Sequence, residues 1–240
     1  MQLTDQEIRE IIIAEKRRKN KRKKKIRKYT TLLVLVLIAV LAVGIFINKD
    51  ARIRSRGIIF IDAGHGGIDG GSKVGSRLEK NDTLKISLAI KDDLQKMGFK
   101  VYMSRTDDTD VDREERGRMA NKAKANFMVS IHRNRAEEGD GVEIYIPSSN
   151  NAKSKILASK IMKELTAKGF SRREIRAGTL VSKDEDYDEN RIPTMPSCLV
   201  EVGFMQNKHD NELFDQGMED NALAIATGIE SAFIKIYETN

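Results

Sequence analysis

The sequence predicts a single α/β domain in which helices flank a mostly parallel, twisted sheet, preceded by one N-terminal transmembrane helix. Three observations predict it. Short, β-branched apolar runs recur near residues 57–61, 127–131 and 198–202. Stretches with apolar residues at helical spacing separate them, and strands alternating with helices build parallel sheets. A single uncharged run, residues 30–47, stands ahead of all of them. The 240 residues suit one domain of ordinary size plus an extension, and no internal repeat is visible.

The extension is residues 1–29, a basic tail. Residues 1–31 hold 12 Lys and Arg against 4 Asp and Glu, leaving 31 basic and 32 acidic residues of the chain's 43 and 36 for the remainder. The net charge of +7 is therefore a property of the tail, and no nucleic-acid partner is expected of the folded domain. Residues 30–47 number eighteen, close to the ~20 needed to span a bilayer. Basic residues on their N-terminal side predict a cytoplasmic N-terminus and an extracytoplasmic domain at the cell membrane. The rival, a cleaved signal peptide, has an apolar core of about 7–15 residues and a small-residue cleavage site, and no such site stands out between Ala42 and Arg54. Ile8, Ile11 and Ile12 suggest a short amphipathic helix on the membrane face. Residues 48–56 form a charged linker, and the folded domain is expected over 57–240.

Within that domain the order predicted is strand 57–62, helix 79–97, strand 100–104, helix 113–125, strand 127–131, strand 142–146, helix 152–168, a short strand near Leu180, strand 197–203 and helix 221–237. The acidic stretch KDEDYDENR, 183–191, reads as a solvated loop. Cys198 is the only cysteine, which excludes an intrachain disulfide, and it is expected in the core.

Chemistry-bearing residues gather at strand ends. Residues 57–71, GIIFIDAGHGGIDGG, run from an apolar strand into glycines around His65, and ligands in open α/β sheets bind beyond the carboxyl ends of strands. FMVSI ends in His132, with Arg133 and Asn134 following, and CLVEV carries Glu201, a carboxylate that an apolar strand tolerates only if paired, hydrogen-bonded or near a metal. Glu79 opens an amphipathic helix, where a carboxylate ordinarily complements the helix dipole. Two histidines and a glutamate are also a ligand set for catalytic zinc. His209, the third histidine, lies in a polar run and is expected to be solvated.

The order DAGHGG, a glutamate before a helix, SIH.N and VEVGF..N resembles the zinc-dependent N-acetylmuramoyl-L-alanine amidases of bacterial cell walls, the type 3 amidase family. Arg105 in MSRTDD and Arg116 with Ala120 and Asn121 also match that family's segments, whereas Arg133 stands where it usually has a small residue. The resemblance implies one Zn2+ held by His65, Glu79 and His132, with Glu201 as the catalytic glutamate. It implies hydrolysis of the amide joining N-acetylmuramic acid to the L-alanine of the peptidoglycan stem peptide, an activator protein as partner, and a groove rimmed by the acidic stretch. The 147–151 connection is too short for the autoinhibitory helix that some relatives insert, so an open groove is expected. Arg105, Arg133, Asn134 and Arg176 are the expected substrate-binding residues. The alternatives are a membrane-anchored zinc peptidase or deacetylase with the same ligands, and a non-catalytic protein that binds cell wall.

Overall fold

The computed structural model describes residues 18–19, 21–40 and 56–239. The chain divides into two compact units, Met1–Arg54 and Ser55–Asn240. In the first unit the described residues are helical. Among the described residues no helix is long and apolar enough to cross a membrane; residues 41–47 of the expected span, most of the linker and the segment around Ile8 lie outside them.

The second unit is built on a six-stranded sheet of β1 (Ile58–Ala63), β4 (Lys100–Met103), β5 (Phe127–Asn134), β6 (Val142–Ile146), β7 (Arg172–Ala177) and β8 (Ser197–Phe204). Their order is β4-β1-β5-β8-β6-β7, parallel throughout except where β6 meets β8 antiparallel. The two-residue strands β2 (Lys73–Val74) and β3 (Arg77–Leu78) form a separate small ribbon. Helices α1 (Glu79–Lys96), α2 (Arg113–Lys122), α3 (Ala152–Thr166), α4 (Asp188–Arg191), α5 (Lys208–Gln216) and α6 (Met218–Phe233) complete the fold.

Central strands buried on both faces must be apolar throughout, which accounts for the runs in β1, β5, β6 and β8. The principal core joins Ile59, Ile61, Val129, Ile131 and Val200 to the inward faces of α1, α3 and α6, including Ile86, Ile90, Ile161 and Ile229. A smaller cluster of Phe60, Met128, Ala120 and Ala125 seats α2 on the other face. Side chains set the helix starts: Asp112 accepts from the Glu114 and Glu115 amides, and Asn151 from that of Ser154. Cys198 is in the core, where burial pushes its thiol pKa up and leaves it inert.

Several elements differ from expectation. The short strand is Arg172–Ala177, not a strand near Leu180: Gly178 at φ +83° ends it, and the Thr179 amide bonds to Ser182 O, leaving Leu180 58% exposed in a turn. RREIRA is charged because it is an edge strand in which no residue is fully buried. The last helix begins at Met218 rather than 221 and passes at Ile234 into a wider π turn ending at Glu238. Helix α5 was not expected, since it buries only Asp210 and Phe214 and shows no broad apolar stripe; exposed His209 lies on it rather than in a loop. The acidic stretch is not all solvated, because α4 buries Glu189 and Asn190.

Candidate active site

β1, β5 and β8 end side by side, with His132 directly opposite Glu201 in the register. After Ala63 the chain turns so tightly that His65 takes φ 62°, a left-handed conformation unusual for a residue with a side chain. Gly64 allows the approach of His132, since a Cβ there would lie 2.4 Å from the imidazole Cε1. Gly64→Ala is therefore expected to displace the His132 ring and weaken metal binding by at least about tenfold, measured as zinc retained after dialysis; full retention would contradict this packing.

Three donors converge. Glu79, at the first position of α1, turns Oε1 toward His65 Nε2 at 3.1 Å and His132 Nδ1 at 3.0 Å. One ligand atom from each of the three residues falls within a mutual 4.8 Å, and the two imidazoles meet edge-on with centroids 4.9 Å apart. The Ser72 amide donates to Glu79 Oε2 and the Arg133 amide to Oε1, fixing the carboxylate. Asp69 holds His65 Nδ1 at 2.8 Å, which orients Nε2 inward.

Charge balance explains the titration of these groups. Burial disfavours charge on His132, but the hydrogen bond and charge of Glu79 raise its pKa to about 9. His65 is raised against its own burial by the same carboxylate. Burial opposes ionisation of Glu79 as well, yet the two imidazoles hold its carboxyl far below the usual range. One carboxylate oxygen and two ring nitrogens thus share one small space, and their mutual attraction favours protons on the imidazoles. A dication replacing those protons would satisfy all three donors at once, and the His₂Glu set is one that zinc accepts while keeping a position open.

Glu201 faces the same cleft, about 260 Å³ in volume. Its Oε2 is buried without a hydrogen-bond partner among the described residues, and its pKa rises to about 7 through burial, opposed by the charge of His132 and reinforced by Glu79 and Glu143.

The substrate-binding expectations fare differently. Arg105 is 4% exposed, and its guanidinium donates to the carbonyls of Ala63, Gly64, Lys80 and Asp107. Arg133 is 1% exposed, pairs with Asp82 and Asn211, and lies 4.1 Å over the Phe214 ring; only its backbone serves the site. Arg176 is engaged by Glu143 and Glu174 and does not line the cleft. The guanidinium groups of Arg105 and Arg133 are buried and bonded within the fold, whereas Arg176 is partly exposed but lies away from the cleft. Asn134 does line the cleft, its amide donating to Glu143. Arg105→Ala is expected to cost about 1–3 kcal/mol of stability by stranding buried carbonyls, read from urea melts; an increase in KM with unchanged stability would restore the substrate role.

Residues that sequence reasoning missed include Arg113, Arg135 and Glu189, all lining the cleft, and Asp62, which pairs in the interior with the cleft residue Arg116. Arg113 and Arg135 form no ion pair among the described residues. Asp62, an acid ending an apolar strand, carried a signal that could have been used, whereas Glu189 is indistinguishable in sequence from its acidic neighbours.

Comparison with known proteins places the chain among cell-wall amidases. The sporulation-specific N-acetylmuramoyl-L-alanine amidase of Bacillus subtilis (strain 168) is 34% identical over 180 residues, covering 73% of this chain and 68% of that protein. The crystal structure of N-acetylmuramoyl-L-alanine amidase from Clostridium difficile 630 superposes with a TM-score of 0.67 at 28% identity, covering 75% of this chain and 98% of that one. CwlD amidase from Clostridioides difficile, solved in complex with the GerS lipoprotein, gives 0.59 at 28% identity over 74% and 98%. A family profile described as N-acetylmuramoyl-L-alanine amidase matches residues 59–231, from β1 almost to the end of α6, and the chain belongs to that family.

Proposed function

We propose that the chain is a zinc-dependent amidase that hydrolyses the bond between N-acetylmuramic acid and the L-alanine of the peptidoglycan stem peptide. The observation that carries this reading is the convergence of His65, Glu79 and His132 beside an unpartnered Glu201 in one cleft. His65 Nε2, a Glu79 oxygen and His132 Nδ1 would hold the ion. When bound, zinc supplies Lewis acidity toward the scissile carbonyl and toward water. Glu201 takes a proton from the attacking water and gives it to the departing L-alanine amine. Arg113 and Arg135 line the cleft without an ion pair among the described residues and are the donors available to stem-peptide carboxylates.

The N-terminal segment is proposed to anchor the enzyme in the cell membrane, with its tail cytoplasmic and the catalytic unit, 57–240, outside. The uncharged run 30–47 behind a basic block supports this, as do Leu33, Leu35 and Leu37, each more than half exposed on the described helix. An activator protein is a further proposed partner, by analogy with the CwlD–GerS complex.

The test is amine release from purified peptidoglycan by the full chain, with products identified by mass spectrometry. Intact stem peptides with a free L-alanine amine, lost on chelation and restored by zinc, support the amidase. Shortened peptides would identify a peptidase, and released acetate a deacetylase. Wall binding without any product, even with zinc restored, would count against catalysis.

A further inference from the structure

We propose that Glu189 is a positioning residue for His132: its carboxylate accepts the Nε2–H of that imidazole and so fixes the tautomer that presents Nδ1 to the metal. The proposal rests on the zinc reading above and adds a residue to it.

His132 Nδ1 is the nitrogen that faces Glu79 Oε1, at 3.0 Å. A neutral imidazole that turns the Nδ1 lone pair inward must carry its proton on Nε2. Nε2 is buried and has no hydrogen-bond partner among the described residues. An N–H in that position calls for an acceptor, and metal-ligating histidines almost always donate their second nitrogen to a carboxylate, carbonyl or water.

Three carboxylates are close enough to be considered. Asp62 is committed, Oδ1 accepting from Arg116 and Oδ2 from Ser130. Glu201 stands beside His132 on β8, where its role is to handle the protons of water and amine. Glu189 is 7% exposed and makes no side-chain hydrogen bond or ion pair among the described residues. One oxygen of Glu189, one of Asp62 and one ring nitrogen of His132 lie within 4.8 Å of one another. A torsional adjustment of the glutamate, or one bridging water, closes such a gap. A second cation among these three groups is disfavoured, because the Arg116 guanidinium, 2.8 Å from Asp62, already supplies positive charge.

The local structure holds Glu189 in place. Its neighbour Asn190 is buried and bonded in two directions, donating to Tyr145 O and accepting from the Ser197 hydroxyl. Tyr187 packs edge-on against Tyr145, with centroids 5.2 Å apart. The turn of α4 is thereby pinned to β6 and β8, with a nearly buried carboxylate directed into the cleft. Leaving such a group unpaired is unfavourable, and the orphaned Nε2–H is the partner that would satisfy it.

The experiment is a zinc titration of the metal-stripped full chain against a chromogenic chelator, for wild type, Glu189→Ala and Glu189→Gln. Glu189→Ala is expected to bind zinc about 10–100-fold more weakly, and Glu189→Gln less so, because its amide oxygen still accepts. In nitrogen-resolved NMR of the zinc-loaded proteins, the His132 Nε2–H resonance should be observable in wild type and move in both variants, which a purely structural role would not produce. Melting of the metal-free variants identifies any that fail to fold, and Glu189→Gln, nearly isosteric, then carries the test. Affinities within about twofold of wild type together with an unmoved resonance would overturn the role of Glu189 alone. Wild type that binds no zinc would overturn the metal reading, and this proposal with it.

Discussion

Replacing Glu201 by glutamine is expected to slow amine release from peptidoglycan by about 10²–10⁴-fold while leaving zinc content unchanged. The two halves of that expectation have separate structural grounds. Glutamine keeps the shape of the side chain but can neither accept a proton from water nor return one to the leaving amine, so the loss should appear in kcat rather than KM. Glu201 is not one of the three groups whose ligand atoms converge, so the ion should stay. The pH profile adds a sign. Burial lifts the metal-free carboxyl to about 7, whereas a nearby dication favours the ionised form. Since the base must be ionised, kcat/KM should rise with pH along a limb whose midpoint lies below 7 in the zinc enzyme. A variant that retains kcat within a few-fold of wild type would remove Glu201 from the reaction and leave the cleft without its base.

How much of this was legible in the sequence depends on whether a residue's role is local. His65 was readable because the strand end and its glycines are contiguous, and His132 and Glu201 because each interrupts an apolar run at a predictable edge. Glu79 required combining segments, since a carboxylate at a helix start has an ordinary use of its own. The arginines misled for the opposite reason. Nothing near Arg105 in sequence reveals that the carbonyls of Ala63 and Gly64, some forty residues away, consume its donors. Arg133 is adjacent in sequence to His132, which suggests a substrate-facing side chain, but its strand position turns the side chain toward Asp82 and Phe214 while its amide supports Glu79. Glu189 was hidden because solvated and buried acids share one composition. The missed helix α5 is the same problem at the level of secondary structure: a helix that buries two residues leaves almost no periodic signal.

Arg116→Ala is expected to destabilise the folded chain by about 3–5 kcal/mol, the usual consequence of leaving one charge of a buried pair behind. Arg116 and Asp62 are both almost completely inaccessible, 2.8 Å apart beneath the site. The guanidinium also donates to the carbonyls of Ala63, His65 and Val111, so it ties the β1 exit loop to the start of α2. Without it, Asp62 keeps the Ser130 hydroxyl but loses its counter-ion, and His65 loses the contact that holds its left-handed backbone. Zinc affinity should therefore fall along with stability, although Arg116 is not one of the metal-binding groups. The pH dependence has a definite sign. Burial opposes ionisation of Asp62, but Arg116 and the serine hydroxyls outweigh it and lower the folded-state pKa below the ordinary value of 3.8. The pair's stabilisation is thus present above the unfolded pKa and is lost as pH falls through the lower folded value. Urea denaturation from neutral to acid pH reads both effects, and a double variant, Asp62→Asn with Arg116→Met, should lose less than the sum of the single changes. Additive losses would mean that Arg116 acts through its carbonyl contacts alone, and the loop that presents His65 would then owe its shape to hydrogen bonds rather than to a buried charge pair.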